Sequence, residues 1–341
     1  MLQTTIRMLT LIILTGLVAS CFPGAEGDYH GRVVVYSPHG PDVLRDYQEL
    51  FEAAYPGVQV QALDMGSQEV YSRISSEQRR PQADVWWGAP TTMFMQAAEE
   101  GLLEPYRPTW ADAVSEAYRD PEDRWYGVYR SPLGILYNNR HYTGDQVPQT
   151  WDELLDPEWH GRIALRRPLP SGTMRTFIGA MILRAETVEH GFDWLARFHA
   201  ATADYLENPQ MLFDHLKRRE DRISVWLMPD AALQRERNGF PFDCHVPPET
   251  PVLIEGIALI KDGPNPDWGR KFYEFVTTSE AFAHQAEEYW KIPVREDIDP
   301  ALLPDWIASQ EVDALAIDWE TFAEQEQAWC DRWAREVYRA R

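Results

Sequence analysis

From residue 32 to residue 101 the chain alternates short β-branched runs with stretches of helical period, and this alternation constrains the fold more than any other feature. Val33-Val34-Val35-Tyr36 reads as a strand closed by the turn residues Ser37-Pro38-His39-Gly40-Pro41. Over 43–54, Leu44, Tyr47, Leu50, Phe51 and Ala54 recur on one stripe, as in a helix with one buried face. Tyr55-Pro56-Gly57 stops that helix. A second strand over 58–63, a helix over 69–79, a third strand over 83–87 and a helix over 91–100 complete the series. Parallel neighbours need a crossover, usually helical, so the βαβαβα order predicts a doubly wound α/β sheet. Ligands of such sheets sit beyond the carboxyl ends of the strands. Three loops lie there: Ser37 to Gly40, Gly66-Ser67, and Gly88-Ala89-Pro90.

The pattern then breaks and restarts. Strands are expected over 125–129 and 133–137, and a second α/β region opens at Trp151. Its elements are strands over 163–165 and 223–227 and helices over 174–183, 192–202 and 208–218. A β-rich return over 251–261 precedes helices over 268–277, 279–289 and much of 307–338. A chain that leaves one sheet, builds another and comes back predicts two lobes, with crossings near 131–134 and 253–256. Residues 31–132 and 255–341, with the C-terminal helices, would form the first lobe, and residues 133–254 the second.

The amino terminus reads as an address. Arg7 precedes an apolar run over 9–17, followed by Val18-Ala19-Ser20-Cys21. The run is short of the about 20 residues that span a bilayer, so 1–20 is expected to be a signal peptide. Small residues before a cysteine resemble a bacterial lipobox, which implies lipidation of Cys21 and a short tether over 21–30. An ordinary signal peptide with a chance cysteine is the plainer alternative. The net charge of -22 makes nucleic acid and anionic membrane surfaces poor partners. Beyond Cys21 only Cys244 and Cys330 remain; export permits a disulfide between them but two distant cysteines do not require one. No G-x-S-x-G, H-E-x-x-H, C-x-x-C or P-loop occurs, and the histidines lack metal-ligand spacing. Binding without catalysis is the expected role, with no cofactor; an envelope hydrolase using paired carboxylates is the rival of another class.

Several stretches in order carry a resemblance: VVVYSPHG, PQADVWWGAP, EEGLLEPY, SPLGILYNN, TWDELLDPEWHGRIAL, PSGTMRTFI, IEGIALIKDGPNPDWGRKFYEFVTTSEA and KIPVRED. Together they resemble the type II periplasmic (extracellular) solute-binding proteins of ABC importers, in the branch of ferric-iron, thiamine, phosphonate and sugar-phosphate binders. The resemblance implies a two-lobed fold with hinge and ligand cleft, mixed doubly wound sheets, a small-molecule ligand, a membrane permease as partner, export to the periplasm or outer cell surface, and a monomer.

On that frame the candidate ligand residues are Ser37, His39, Gly66, Ser67, Gly88, Ala89, Ser171, Gly172, Thr173, Trp226 and Glu255. Ser171-Gly172-Thr173 opens a helix, offering hydroxyls, free N–H groups and positive dipole to an anion, with Arg175 just inside. The same residues also suit a plain N-cap. Trp226 would stack on an organic ligand or fill core, and Glu255 would face the cleft or pair at the hinge. Ferric binders of this branch use adjacent tyrosines where this chain has Ser224-Val225-Trp226-Leu227-Met228, and a glutamate near Gly88-Ala89-Pro90. Neither is present, so an anionic or phosphorylated organic solute is expected before iron.

Overall fold

The computed structural model describes residues 29–308 and 311–340. The expected signal segment, Cys21 and the tether as far as residue 28 lie outside the described residues. The strands are β1 (Gly31–Ser37), β2 (Val58–Asp64), β3 (Val85–Pro90), β4 (Leu103–Glu104), β5 (Tyr126–Asn138), β6 (Ile163–Arg166), β7 (Thr202–Leu206), β8 (Ile223–Leu227), β9 (Phe242–His245), β10 (Val252–Ile260) and β11 (Ile292–Pro293). The helices are α1 (Pro41–Ala54), α2 (Ser67–Ser76), α3 (Thr91–Glu99), α4 (Gly172–Arg184), α5 (Val188–Ala201), α6 (Pro209–Arg218), α7 (Met228–Glu236), α8 (Pro266–Val276), α9 (Ser279–Tyr289), α10 (Asp305–Ala308) and α11 (Trp319–Arg332).

Strands run in the order β2-β1-β3-β10-β5-β8-β6-β7. β1 pairs in parallel with β2 and β3, and β6 with β7 and β8, as crossover helices require. β10 and β5 are the antiparallel members that join the two halves. The first half of β5 pairs with β10 from Tyr126 to Pro132; the second half pairs with β8 from Leu133 to Tyr137. Two strands were expected here and one continuous strand is found. Pro132 sits at the handover, where its missing N–H breaks no ladder on either side.

Strand alternation sorts the first core. Val33, Val35, Val85, Trp87 and Ile257 face α1, α8 and α9 through Tyr47, Phe51, Phe272 and Phe282. Val34, Tyr36, Trp86 and Ala258 face the other way, against Val70, Ile74 and Phe94 of α2 and α3. A sheet covered on both faces explains why these strands are apolar throughout. A separate core gathers Leu133, Ile135, Ile163, Leu165, Val225, Phe177, Phe198 and Leu212.

The C-terminal helices divide between the halves, unlike the expectation that all belong with the first. α8 and α9 pack on the first core. Phe322 and Trp329 of α11, with Trp333 and Val337 beyond it, are buried in the second. The reason is complementary shape: Gly179 of α4 leaves room for the Phe322 ring, which lies 2.5 Å from where a Cβ would stand. Cys244 on β9 and Cys330 on α11 are free thiols. No helix among the described residues is long and apolar enough to cross a membrane.

Candidate functional site

The loops after β1, β2 and β3 converge with the start of α4 and the handover of β5 and β10. Ser37 is fully buried, and its Oγ accepts the His39 backbone N–H at 3.2 Å, which fixes the turn that aims the imidazole. The imidazole enters over Gly88, where a Cβ would stand 2.6 Å from His39 Nε2. Gly88 and Ala89 both have positive φ, 96° and 100°. For Ala89 that conformation is costly, and such strain persists where surrounding structure fixes it, often at functional sites.

Glu255 of β10 is the hub of a buried network. Its Oε1 accepts the Ser131 hydroxyl at 2.5 Å and its Oε2 meets His39 Nε2 at 3.0 Å. Lys291 Nζ lies 3.3 Å from Oε2. Burial alone would raise the Glu255 pKa. The Lys291 charge and the His39 and Ser131 hydrogen bonds outweigh it and hold the carboxyl well below the usual range. His39 is pulled below the ordinary imidazole range by burial and then by Lys291, against the opposing pull of Glu255. A neutral His39 donating from Nε2 to Glu255 presents Nδ1 as an acceptor, and Nδ1 has no hydrogen-bond partner among the described residues.

Trp226 is buried in the second core, and its indole N–H donates to Asp230 Oδ2 at 2.8 Å. Burial raises the Asp230 pKa, and the nearby Lys291 charge works against that rise. Trp226 therefore fills core and positions Asp230, rather than presenting an open stacking face.

The second cluster joins the halves directly. A Cβ on Gly172 would meet Pro90 Cδ at 2.7 Å and Ser67 Cβ at 3.1 Å; one on Gly66 would meet the Pro170 carbonyl at 3.3 Å. The loops after β2 and β3 thus lie in van der Waals contact with the start of α4. Ser171 is the N-cap of α4, its Oγ accepting the Met174 N–H at 3.3 Å. Thr173 is half-buried at the same helix end. Arg175 does not assist at this turn: its guanidinium is committed to Glu326 Oε1 at 2.6 Å and Gln327 at 3.0 Å. Thr91 and Thr92 cap nothing; the Thr92 hydroxyl donates to Glu326 Oε2 at 2.8 Å.

The eleven expected residues thus fall into neighbouring groups: Ser37, His39, Gly88 and Glu255; Gly66, Ser67 and Ser171 to Thr173; Ala89 between them; and Trp226 behind Asp230. Ser131, Asp230, Lys291 and Arg166 were not anticipated. Ser131 and Lys291 do lie in the SPLGILYNN and KIPVRED stretches, so the signal was present without its chemistry. Among the described residues no three His, Cys, Asp or Glu side chains gather as a metal site. Two surface hollows, of about 220 Å³ beside Gln78 and Lys261 and about 530 Å³ beside Gln48 and Gln61, share none of these residues.

Two α/β halves joined by crossing strands, with strand-end loops and a helix start meeting between them, define a cleft-type solute-binding protein. The chain belongs to the bacterial extracellular solute-binding protein family, whose pattern matches residues 83–325. It is 25% identical over 334 residues to a probable ABC transporter periplasmic-binding protein of Sinorhizobium fredii, covering 94% of this chain and 89% of that one. It is 25% identical to a putative 2-aminoethylphosphonate-binding periplasmic protein of Salmonella typhimurium, covering 79% and 80%. Among solved structures, the periplasmic binding protein AfuA of Actinobacillus pleuropneumoniae, with exogenous fructose-6-phosphate bound, matches with TM-score 0.79, 25% identity and coverage of 91% and 99%. The chain is an exported small-solute-binding component of ABC-type import.

Proposed function

We propose that this protein is the lipid-anchored receptor of an ABC importer, held to the membrane through Cys21, acting as a monomer, and capturing one small phosphorylated or otherwise anionic organic solute. The observation that carries the reading is the seam where Gly66, Ser67 and Pro90 meet Ser171 and Gly172, because a helix start contributes free N–H groups and positive dipole to an anion. The first lobe comprises residues 31–132 and 254–308, and the second residues 133–253 with α11. Closure around the solute requires only that it bind the closed arrangement better than the open one. The closed complex then docks on the permease. Catalysis is not part of this role. Ser37, His39, Gly88, Ala89 and Glu255 line one end of the site, and Asp230, backed by Trp226, lies beside them. Iron is the weaker reading because β8 presents Ser224-Val225-Trp226 where a tyrosine pair is needed for a hard ferric ion.

The test is native mass spectrometry of protein purified without refolding, followed by calorimetry with what is found. A co-purified phosphate ester or phosphonate that binds one to one is the expected result. A protein that binds only ferric ion, or that turns a phosphate ester over, refutes the reading. Mass analysis of the membrane fraction separately tests the diacylglyceryl group on Cys21.

A further inference from the structure

We propose that Arg166 is the specificity-determining cation of the cleft, gripping the anionic group of the solute from the second half. This rests on the anionic-solute reading above and adds the residue that selects the charge. Arg166 is the last residue of β6, at the carboxyl end where ligands of parallel sheets sit. Its guanidinium reaches across the seam: Nη2 lies 3.5 Å from where a Cβ of Gly66, in the first half, would stand. Among the described residues none of its guanidinium N–H groups has a hydrogen-bond acceptor, and Nε is buried. The neighbouring Arg167 is different, paired with Glu207 at 2.8 Å and turned to the surface. Lys291 is committed to Glu255, and Arg175 to Glu326 and Gln327.

An unpaired guanidinium at an interface between halves is unfavourable unless something completes it. Burial pulls the Arg166 pKa down, and only the more distant Glu207 and Asp64 charges oppose that. A tetrahedral oxyanion answers all of these features, because the planar fork offers two parallel donors to two of its oxygens. The start of α4, with Gly172 and Thr173, lies close to the same seam through Pro170 and contributes backbone N–H groups. The solute class that follows carries a phosphate or phosphonate, a group able to use both oxygens at once, in preference to a neutral polyol.

The experiment is calorimetric titration of the mature protein with inorganic phosphate, fructose 6-phosphate, 2-aminoethylphosphonate and fructose. Wild type is compared with R166Q and R166K. Wild type is expected to bind at least one phosphorus-containing probe and to prefer it over fructose. R166Q should lose roughly 10- to 100-fold in that affinity, the scale of charged hydrogen bonds. R166K, a point charge without the fork, should recover only part of it. Because the Arg166 guanidinium has no hydrogen-bond partner among the described residues, the ligand-free melting temperature of R166Q should not fall, which separates lost binding from lost folding. A wild type that binds a phosphorus-containing probe while R166Q matches it overturns the role of Arg166 and leaves the anionic reading intact. A wild type that binds fructose as tightly as its phosphate, or none of the charged probes, overturns both.

Discussion

Glu326 is expected to be the costliest single side chain to remove outside the two cores. It is 2% exposed, faces an Arg175 that is 4% exposed, and its second oxygen takes the Thr92 hydroxyl. Among the described residues, Glu326→Leu would leave the buried guanidinium with the Gln327 hydrogen bond and the more distant Asp331 charge, and the Thr92 hydroxyl without its acceptor. Breaking one side of a buried pair costs about 3–5 kcal/mol. A cooperative chain of this size has an unfolding entropy of about 0.65 kcal/mol/K, so the melting temperature should drop by about 5–8 °C. Urea unfolding followed by tryptophan fluorescence gives the free energy directly, and calorimetry gives the temperature. The control is the double variant Glu326→Leu with Arg175→Met. It removes both charges and should recover most of the loss, since a packed apolar pair often matches a buried ion pair. A single variant within about 1 kcal/mol of wild type, or a double variant no better than the single, refutes the reasoning.

Three further outcomes follow from the same geometry. Ser171→Ala with Thr173→Ala should cost about 1 kcal/mol through the lost N-cap; calorimetry should also show weaker solute binding, and unchanged affinity removes both residues from the site. Gly172→Ala should lower the melting temperature, because its Cβ would strike the rigid Pro90 ring. Small-angle scattering with saturating solute should show a larger radius than wild type, and an identical radius refutes the contact. Glu255 has a depressed folded-state pKa, so its contribution is present above the unfolded value of about 4.3 and lost as pH falls below it. Urea midpoints should therefore fall less steeply from pH 5 to pH 3 in Glu255→Gln than in wild type, and parallel curves would exclude that linkage.

The elements most legible in the sequence were those whose period and stops agree. The strand over 223–227 and the helix over 279–289 have the expected bounds. Strand β7 and helix α7 were missed. β7 directly continues α5 without a turn residue, and α7 follows β8 through Met228-Pro229 with a weakly amphipathic face. The loop residues were legible as turns and helix starts because Gly, Pro and Ser punctuate the chain after parallel strands. Lys291 and Asp230 were not, since a lone charge acquires meaning only when the chain returns from 36 residues beyond Glu255 or pairs with an indole. Arg175 shows the converse: it occupies the expected helix start but points to α11, and nothing local in PSGTMRTFI distinguishes the two directions.

The same hydrogen bonds also restrict where the halves can rotate. On β5, Tyr129 belongs to the first core and Leu133 to the second; on β10 the change falls between Leu253 and Ile254. Ser131 and Glu255 are bonded to each other and, through Glu255, to His39 and Lys291, so the strands are pinned on the first-lobe side. On the other side the Leu133 N–H donates to the Pro251 carbonyl, and the Thr250 hydroxyl donates to the Leu133 carbonyl. Between these ties Pro132 on β5 and Val252 to Ile254 on β10 remain to absorb a change of dihedral angle. Pro132, with its fixed φ and no N–H, leaves mainly ψ free. Rotation about so short a segment would move Gly172 relative to Pro90 and Ser67, with the buried Glu255 cluster lying on the first-lobe side of the pivot.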